Sequence, residues 1–537
     1  MHFKKKSWFA CFSLFLCFLG AARCEADSIE VYFGPNGGFN LKNKNRMITM
    51  SDGSQVPGTL SSSLVNMLEQ AEPGGQMKIC MYSMGDSHIL SAMIQAAQEK
   101  NITVKLLLDA CSPYNAERAK GIVKKIQDAR ELSKKDGKNF DFQIKFIETS
   151  TMTARGRAKQ LEDGTTIYGT MHEKFGVFYR KDSPIPFDCF AGSANASTGA
   201  DQLYAESRMY FYNRPAVARQ FQEEFARLWN EFGTAIEGNC VSEKLILVDP
   251  VPGDVQVIFN SEPISEEADY SIDEALKKLI QQVSSQGSLD LAMFSFTHYE
   301  LARTMMDCAR KNPKAKFRIM MDQTMLANTD SRQGVMGPWL DEQIKRQKLK
   351  NVEVRYKWRS NAYGWDEEKK QIDILHSENL LLHHKLMIIN RSIMANGSFN
   401  WSDSAEERNF ENLMIFRRPY PDHGAVLDQY LDEFDTLWNT LKEEGLVKNP
   451  LPKQPQMIHF DRAVALSQKI IQLMTDEKNR EILAFFKQEP FLTIEDMFLF
   501  IPLSEKELKE RLDAMVEATI LCYYKNEQQE EGYSKAD

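Results

Sequence analysis

The sequence predicts an α/β protein made of two copies of one domain, with a small helical domain behind them, and two observations predict it. Strand-like apolar runs, among them Val104 to Leu108, Phe317 to Met321 and Val352 to Tyr356, alternate with helix-like segments such as Phe221 to Phe232. That is the pattern of layers around a mixed sheet. The same run of segments then recurs about 210 residues later. Cys80-Met81-Tyr82-Ser83-Met84 parallels Ala292-Met293-Phe294-Ser295-Phe296, Val104 to Asp109 parallels Phe317 to Asp322, and Phe225 to Asn230 parallels Phe434 to Asn439. A solenoid unit runs roughly 20 to 50 residues, so this longer period marks a duplicated domain. The 537 residues allow about three or four domains, and 43% hydrophobic content supplies sizeable cores.

Taken from the start, Lys4-Lys5-Lys6 precede an apolar stretch from Trp8 to Leu19 and then Gly20-Ala21-Ala22. This is the order of a secretory signal, and residues 1–26 are read as one. The stretch falls short of the about 20 residues that span a bilayer. The expectation is an exported, periplasmic or secreted protein, with N-terminal membrane anchoring as the alternative. Six cysteines remain after cleavage (Cys80, Cys111, Cys189, Cys240, Cys308, Cys522), without the spacing of a zinc site or a disulfide framework. Cleavage after Cys24 removes four positive charges and no acids, taking the net charge from −9 to −13. So acidic a chain argues against a general nuclease, because lysine and arginine displace the counterions of a polyphosphate backbone.

The first duplicated domain is placed at 27–245 and the second at 246–447, with Asp249-Pro250-Val251-Pro252-Gly253 as a rigid connection between them. Asn449-Pro450-Leu451-Pro452-Lys453-Gln454-Pro455 introduces a third domain at 456–537. There Ser504-Glu505-Lys506-Glu507 reads as a capping box opening a helix through Leu508, Leu512, Met515 and Val516. Short helices ending in Ile520 to Tyr524 resemble a winged helix, but residues 450–537 hold 11 Lys/Arg against 16 Asp/Glu. Packing or partner binding suits that balance better than DNA.

Each duplicated domain carries one constellation. His172-Glu173-Lys174 is followed by Gly192-Ser193-Ala194-Asn195 and Glu206; His383-His384-Lys385 is followed by Gly397-Ser398-Phe399-Asn400 and Glu411. Asparagine to glutamate spans eleven residues in both. The HxK motifs sit in extended-looking runs, where period-two alternation puts His and Lys on one face and sends His384 to the other. Two such halves facing each other grip one phosphate between two His, two Lys and two Asn. Histidine serves as nucleophile toward phosphorus or as a general acid near neutral pH. Lysine and asparagine supply charge and donors for the non-bridging oxygens, and the glutamates orient the imidazoles. Arg155, Arg157 and Lys159 form a basic cluster before the first motif, read as a solvated loop or a phosphate contact at the mouth.

This pattern resembles the signature of the phospholipase D superfamily, HxKxxxxD followed by GSxN twice per active site, over roughly residues 27 to 445. The resemblance implies two α/β/α sandwiches related by a pseudo-twofold axis. It implies a phosphohistidine intermediate that water or an alcohol resolves, with no metal or other cofactor. It also implies that each carboxylate supports the histidine of the other half: Glu411 supports His172, the nucleophile, and Glu206 supports His383, the general acid. Ser193 and Ser398 are expected around the phosphate. The chain departs from the pattern where Tyr179 and Asn390 replace the motif aspartate, and those positions are expected to support the strands. The sequons at Asn195 and Asn400 fall on the site asparagines, which favours a bacterial exported protein over a eukaryotic secreted one.

The function expected is a phospholipase D-like phosphodiesterase acting on phosphatidylcholine- or cardiolipin-type lipids, at a membrane surface. A metal-independent nuclease is the runner-up and a catalytically degenerate binding protein the third reading. Both half-sites lie in one chain, so a monomer suffices.

Overall fold

The computed structural model describes residues 27–35, 37–42, 46–160, 164, 166–244, 254–260, 272–322, 325, 336–357, 363–366, 371–374, 381–420, 422–443, 473, 476–486, 491–494, 497, 501, 503–517, 521–525 and 531–535. Residues 1–26, read above as a secretory signal, and both proline-rich connections lie outside the described residues.

The first sheet has eight strands: β1 (Ser28–Phe33), β2 (Gln76–Met81), β3 (Thr103–Asp109), β4 (Phe142–Ile147), β5 (Lys174–Tyr179), β6 (Pro186–Gly192), β7 (Ser207–Tyr212) and β8 (Thr234–Glu237). They lie in the order β1-β7-β6-β5-β2-β3-β4-β8. The second sheet has seven: β9 (Gln256–Phe259), β10 (Ser288–Met293), β11 (Lys316–Asp322), β12 (Val352–Lys357), β13 (Lys385–Ile389), β14 (Ile393–Gly397) and β15 (Asn412–Arg417), in the order β9-β15-β14-β13-β10-β11-β12. Apart from the extra edge strand β8, the second order repeats the first. In both sheets the strands β2, β3, β4 and β10, β11, β12 pair in parallel. The motif strands β5 and β13 run antiparallel to β2 and β10. These are mixed sheets, as the alternating apolar runs predict.

The parallel strands are buried almost throughout because helices cover them. Among those helices are α1 (Pro113–Lys135), capped by Ser112 with proline at its first turn, and α2 (Pro215–Glu231), which buries Val217, Phe221, Phe225 and Trp229. A corresponding α3 (His423–Glu443) follows β15. The largest apolar cluster joins the two halves: Phe175, Met209, Phe221 and Trp229 pack in one cluster with Leu386, Met414, Tyr430 and Trp438. Each sheet's other face has its own core. The two copies therefore share a dry centre, and burial at this scale, at roughly 25 cal/mol per Å² of apolar surface, is what holds the halves face to face.

Later in the chain come α4 (Glu477–Phe485) and α5 (Glu505–Glu517), with the amide of Glu507 donating to the Ser504 hydroxyl at 3.2 Å. The expectation of a helical domain needs a correction here. Leu521–Lys525 is not a helix end but strand β17, between β16 (Phe491–Leu492) and β18 (Glu531–Lys535) in sequence, and the three form an antiparallel sheet ordered β16-β18-β17. Leu521 and Tyr533 share the small core of this domain, and Tyr523 faces its partner Tyr533 across the ladder with ring centroids 4.9 Å apart, a cross-strand aromatic pair that suits a strand better than a helix end.

Candidate active site

Ahead of β5 and β13 the chain leaves its own sheet and pairs with the other half. The amide of His172 donates to the carbonyl of Phe410 at 3.1 Å, and that of His383 donates to Ala205 at 2.8 Å. Phe410 and Ala205 immediately precede Glu411 and Glu206, so backbone pairing across the pseudo-twofold sets each glutamate beside the opposite imidazole. His172 Nδ1 lies 2.9 Å from Glu411 Oε2, and His383 Nδ1 lies 2.6 Å from Glu206 Oε2. Bonding at Nδ1 leaves both Nε2 atoms for chemistry. The lysines follow one turn of the pleat later: Lys174 donates its ammonium to the His172 carbonyl, and Lys385 donates to that of His383 at 2.9 Å.

Five further residues position the histidines or their glutamates and escaped the motif reading. Asp109 Oδ1 accepts from the amide of Met171 at 3.0 Å, and Asp322 Oδ2 accepts from that of Leu382 at 3.0 Å. Both aspartates end β3 and β11, where an acid closing an otherwise apolar repeated strand was the available signal. Tyr82 packs edge-on to His172 with ring centroids 4.8 Å apart, and Phe294 lies 4.9 Å from His383. Asn409 adds a bond in one half only, donating from Nδ2 to Glu411 Oε1 at 3.0 Å.

The GSxN turns hold Asn195 and Asn400 near this centre for a steric reason. A Cβ on Gly192 would sit 2.5 Å from the Ser207 carbonyl oxygen, and one on Gly397 would meet that of Asn412, so only glycine allows the strands to approach so closely. Arg208, 1% exposed, fastens the first turn by donating to the carbonyls of Ala194 at 3.1 Å and Asn195 at 3.0 Å. Neither Asn195 Oδ1 nor Asn400 Oδ1 takes a hydrogen bond from the described residues, although both are buried. The protein leaves these amides uncommitted, which suits groups that meet a ligand.

Several expectations change in the folded chain. Ser193 and Ser398 are wholly buried, and their hydroxyls accept from the amides of Ser207 at 3.2 Å and Asn412 at 3.0 Å. They lock the turns to the next strand instead of facing a phosphate, because the glycine draws them under it. Arg157 is no mouth residue: it is 6% exposed and donates to the carbonyl of Asn260 at 2.6 Å and that of Asn409 at 3.3 Å. His384 does occupy the opposite face, where it is fully buried against Glu433, Nε2 to Oε1 being 2.6 Å. Tyr179 ends β5, its hydroxyl donating to Gln222 and accepting from Lys78 at 3.0 Å. Asn390, at φ 51°, accepts from the Ser284 amide at 3.1 Å and donates to the Gln282 carbonyl at 2.8 Å. Both side chains bond to elements at the strand end remote from the imidazoles.

Electrostatics breaks the pseudosymmetry. Burial, reinforced by Lys174 and opposed by Glu411, lowers His172 to about 4. Burial by itself raises Glu411, but His172 and Lys174 outweigh it and hold the carboxyl below its usual range. That pair is a neutral imidazole beside a carboxylate at neutral pH. Burial pushes Glu206 up to about 8 despite Lys385, Arg208 and Lys174, while burial with Lys385 and Lys174 holds His383 far below its ordinary value. The second pair is therefore driven to a neutral imidazole beside a carboxylic acid. Burial also lowers Lys174 to about 8, against the nearby glutamates, and lowers Lys385 to about 7 with Lys174 adding to it. The Lys174 charge works against that of Lys385, a repulsion that an anion bound between them relieves. No group of three or more His, Cys, Asp or Glu side chains arranged to hold a metal occurs among the described residues.

The domain family described as "Cardiolipin synthase, PLD-like domain" matches residues 64–229 and again 276–438, so each match contains one complete constellation. The mitochondrial cardiolipin hydrolase of Xenopus laevis is 25% identical over 160 residues, covering 30% of this chain and 59% of that protein. The mitochondrial cardiolipin hydrolase of Mus musculus is 21% identical over 166 residues, covering 30% and 58%. The chain thus spans less than two thirds of the length of either relative. Among solved structures, the phosphatidylserine synthase of Haemophilus influenzae Rd KW20 is similar at 13% identity and a TM-score of 0.49, covering 82% of this chain and 94% of that one. Nuc from Salmonella typhimurium, a phospholipase D family member, is similar at 17% identity and a TM-score of 0.24, covering 35% and 94%.

Proposed function

Because the chain belongs to the phospholipase D superfamily, with two PLD-like domains of the cardiolipin synthase type, we propose that it is a phosphodiesterase cleaving phospholipids of the cardiolipin or phosphatidylcholine type through a phosphohistidine. The single observation that carries this reading is the pair of crossed imidazole–carboxyl contacts, His172 Nδ1 to Glu411 Oε2 at 2.9 Å and His383 Nδ1 to Glu206 Oε2 at 2.6 Å, which leave both Nε2 atoms for the reacting phosphate. With Glu411 ionised, His172 keeps its proton on Nδ1 and offers the Nε2 lone pair to phosphorus. With Glu206 protonated, the carboxyl proton lies on the Nδ1 side of His383 and the ring carries its own proton on Nε2. As the Nε2–P bond forms and the P–O bond breaks, His383 gives that proton to the departing oxygen and recovers one at Nδ1 from Glu206. Water then loses a proton to His383 Nε2 and attacks phosphorus, breaking the P–N bond. Lys174, Lys385, Asn195 and Asn400 stay on the non-bridging oxygens throughout.

The lipid preference is supported by the cardiolipin-directed names of the family and relatives and by the net charge of −9. Export belongs to the same proposal, and N-terminal sequencing of the mature protein tests it. The function is tested by assaying the purified chain on phosphatidylcholine, cardiolipin and single-stranded DNA, with and without EDTA. His172→Ala is the control, and acid-labile phosphate is measured after rapid quench. Lipid turnover that survives EDTA and leaves a trapped phosphohistidine supports the proposal; turnover of DNA alone replaces it with the nuclease reading. An inert chain with no adduct replaces it with the binding protein.

A further inference from the structure

A cationic side chain stands at the rim of the site with no anion against it among the described residues. Tyr82, whose ring walls His172, accepts at its carbonyl from Asn115 Nδ2 at 3.0 Å, and the next residue, Ser83, accepts at Oγ from Arg118 Nη1 at 3.2 Å. On its other side this stretch pairs with the segment carrying Asn195: the Ala196 amide donates to the Ser83 carbonyl at 3.2 Å, and the Gly85 amide donates to the Ala196 carbonyl at 2.7 Å. Arg118 is thereby fixed beside the wall shared by His172 and Asn195. Gly85 makes the room, since a Cβ there would lie 2.8 Å from Arg118 Nη1. A small cavity opens at this point, lined among others by Tyr82, Asp109, Asn115 and Arg118. The one acid in that lining is already engaged, Asp109 accepting from Met171 at one oxygen and from Asn115 and Cys111 at the other.

The guanidinium lies 4.2 Å from the ring centroid of Tyr114, which is 62% exposed. Stacking on an aromatic face holds the planar fork at a fixed attitude while leaving its edge open. Beyond the Ser83 bond, Arg118 makes no hydrogen bond or ion pair among the described residues. Elsewhere in this fold buried arginines are spent on carbonyls, as with Arg157 and Arg208; this one keeps a phosphate-shaped set of donors unspent.

We propose that Arg118, stacked on Tyr114, binds a second phosphate of the substrate whose first phosphate lies between His172 and His383, so that the favoured substrates are phospholipids carrying two phosphates. This rests on the phosphodiesterase reading above and narrows its substrate class.

The test compares the wild type with Arg118→Ala and Arg118→Lys on short-chain cardiolipin, with two phosphates, and on short-chain phosphatidylcholine, with one. Losing a charge-assisted bond raises KM for cardiolipin about 10-fold or more in Arg118→Ala. Turnover number stays within about threefold, lysine restores part of the loss, and phosphatidylcholine kinetics move less than about twofold. Equal losses on both lipids, or none on either, overturn the proposal. A loss confined to a thymidine oligonucleotide replaces the lipid with a nucleic-acid backbone and equally overturns it. Should the wild type turn over none of these, the phosphodiesterase reading is what fails. The subsite is then judged by calorimetric titration of short-chain cardiolipin into His172→Ala with and without Arg118→Ala: about tenfold weaker binding upholds it, and unchanged binding refutes it.

Discussion

Glu411→Gln is the substitution whose cost the structure lets one work out. Glu411 is fully buried, with Oε2 at 2.9 Å from His172 Nδ1 and Oε1 accepting from Asn409 Nδ2 at 3.0 Å. The charge matters first, because the imidazole becomes cationic as its Nε2 bonds to phosphorus. A hydrogen bond to a charged group contributes about 1.5 to 3 kcal/mol, which corresponds to roughly 10- to 150-fold in rate. A second effect adds to it. Asn409 cannot turn its amide, since its Oδ1 accepts from the Thr170 amide at 3.1 Å and hydroxyl at 3.3 Å. Its Nδ2 therefore claims the carbonyl oxygen of the new glutamine at the place of Oε1, which also lies 2.9 Å from His172 Nδ1, and the glutamine NH2 takes the place of Oε2 beside the same ring. Nδ1–H then keeps one neutral acceptor and meets one N–H donor, so the tautomer that exposes the Nε2 lone pair loses its ionic partner and part of its hydrogen bond. The loss in turnover should thus lie between about 10- and 150-fold, with an unchanged fold because the shape is kept. Turnover of a soluble activated phosphodiester and the yield of acid-labile phosphate after rapid quench should fall together. A loss below about threefold, or an undiminished adduct, would refute the assignment of His172 as nucleophile and of Glu411 as its support.

Three other outcomes follow from the same contacts. The pH profile of kcat/KM, which reports the free enzyme, should rise as His172 loses its proton near 4 and fall as Lys385 and Lys174 lose theirs near 7 and 8; in kcat the falling limb should move to higher pH, because bound phosphate stabilises both ammonium groups, and coincident limbs would contradict this. His384→Ala leaves the buried Glu433 with the Phe39 amide, 2.6 Å from Oε2, in place of two partners and should lower stability by about 3 kcal/mol, measured as a drop in thermal midpoint, while the folded fraction keeps turnover within a few-fold; abolished activity in a stable variant would place His384 in the chemistry. Asn390→Asp loses only the donor to Gln282, a change of about 0.5 to 1.5 kcal/mol, and should leave turnover within a few-fold. An inert wild type made active by this substitution would instead mark the natural chain as switched off.

By itself the sequence determined the duplication, the α/β order of each half and the residue types of the site, because these are local. Period-two alternation separates His383 and Lys385 from His384, and the constant interval from Asn195 to Glu206 and from Asn400 to Glu411 survives duplication whatever the halves do in space. Spacing alone did not pair His172 with Glu411; that came from the family resemblance, and the contact joins residues 239 positions apart. Burial was decided by the tertiary structure alone. A serine beside a glycine turn reads as a phosphate ligand until the next strand closes over it, and an arginine reads as a mouth residue until two carbonyls enclose it. Leu521–Lys525 reads as a helix end until Glu531–Lys535 offers it an edge. The protonation states are the furthest from the sequence. Glu206 and Glu411 occupy equivalent positions, yet one is raised and the other lowered, because a pKa sums desolvation with every neighbouring charge and the two halves surround their carboxylates with different residues.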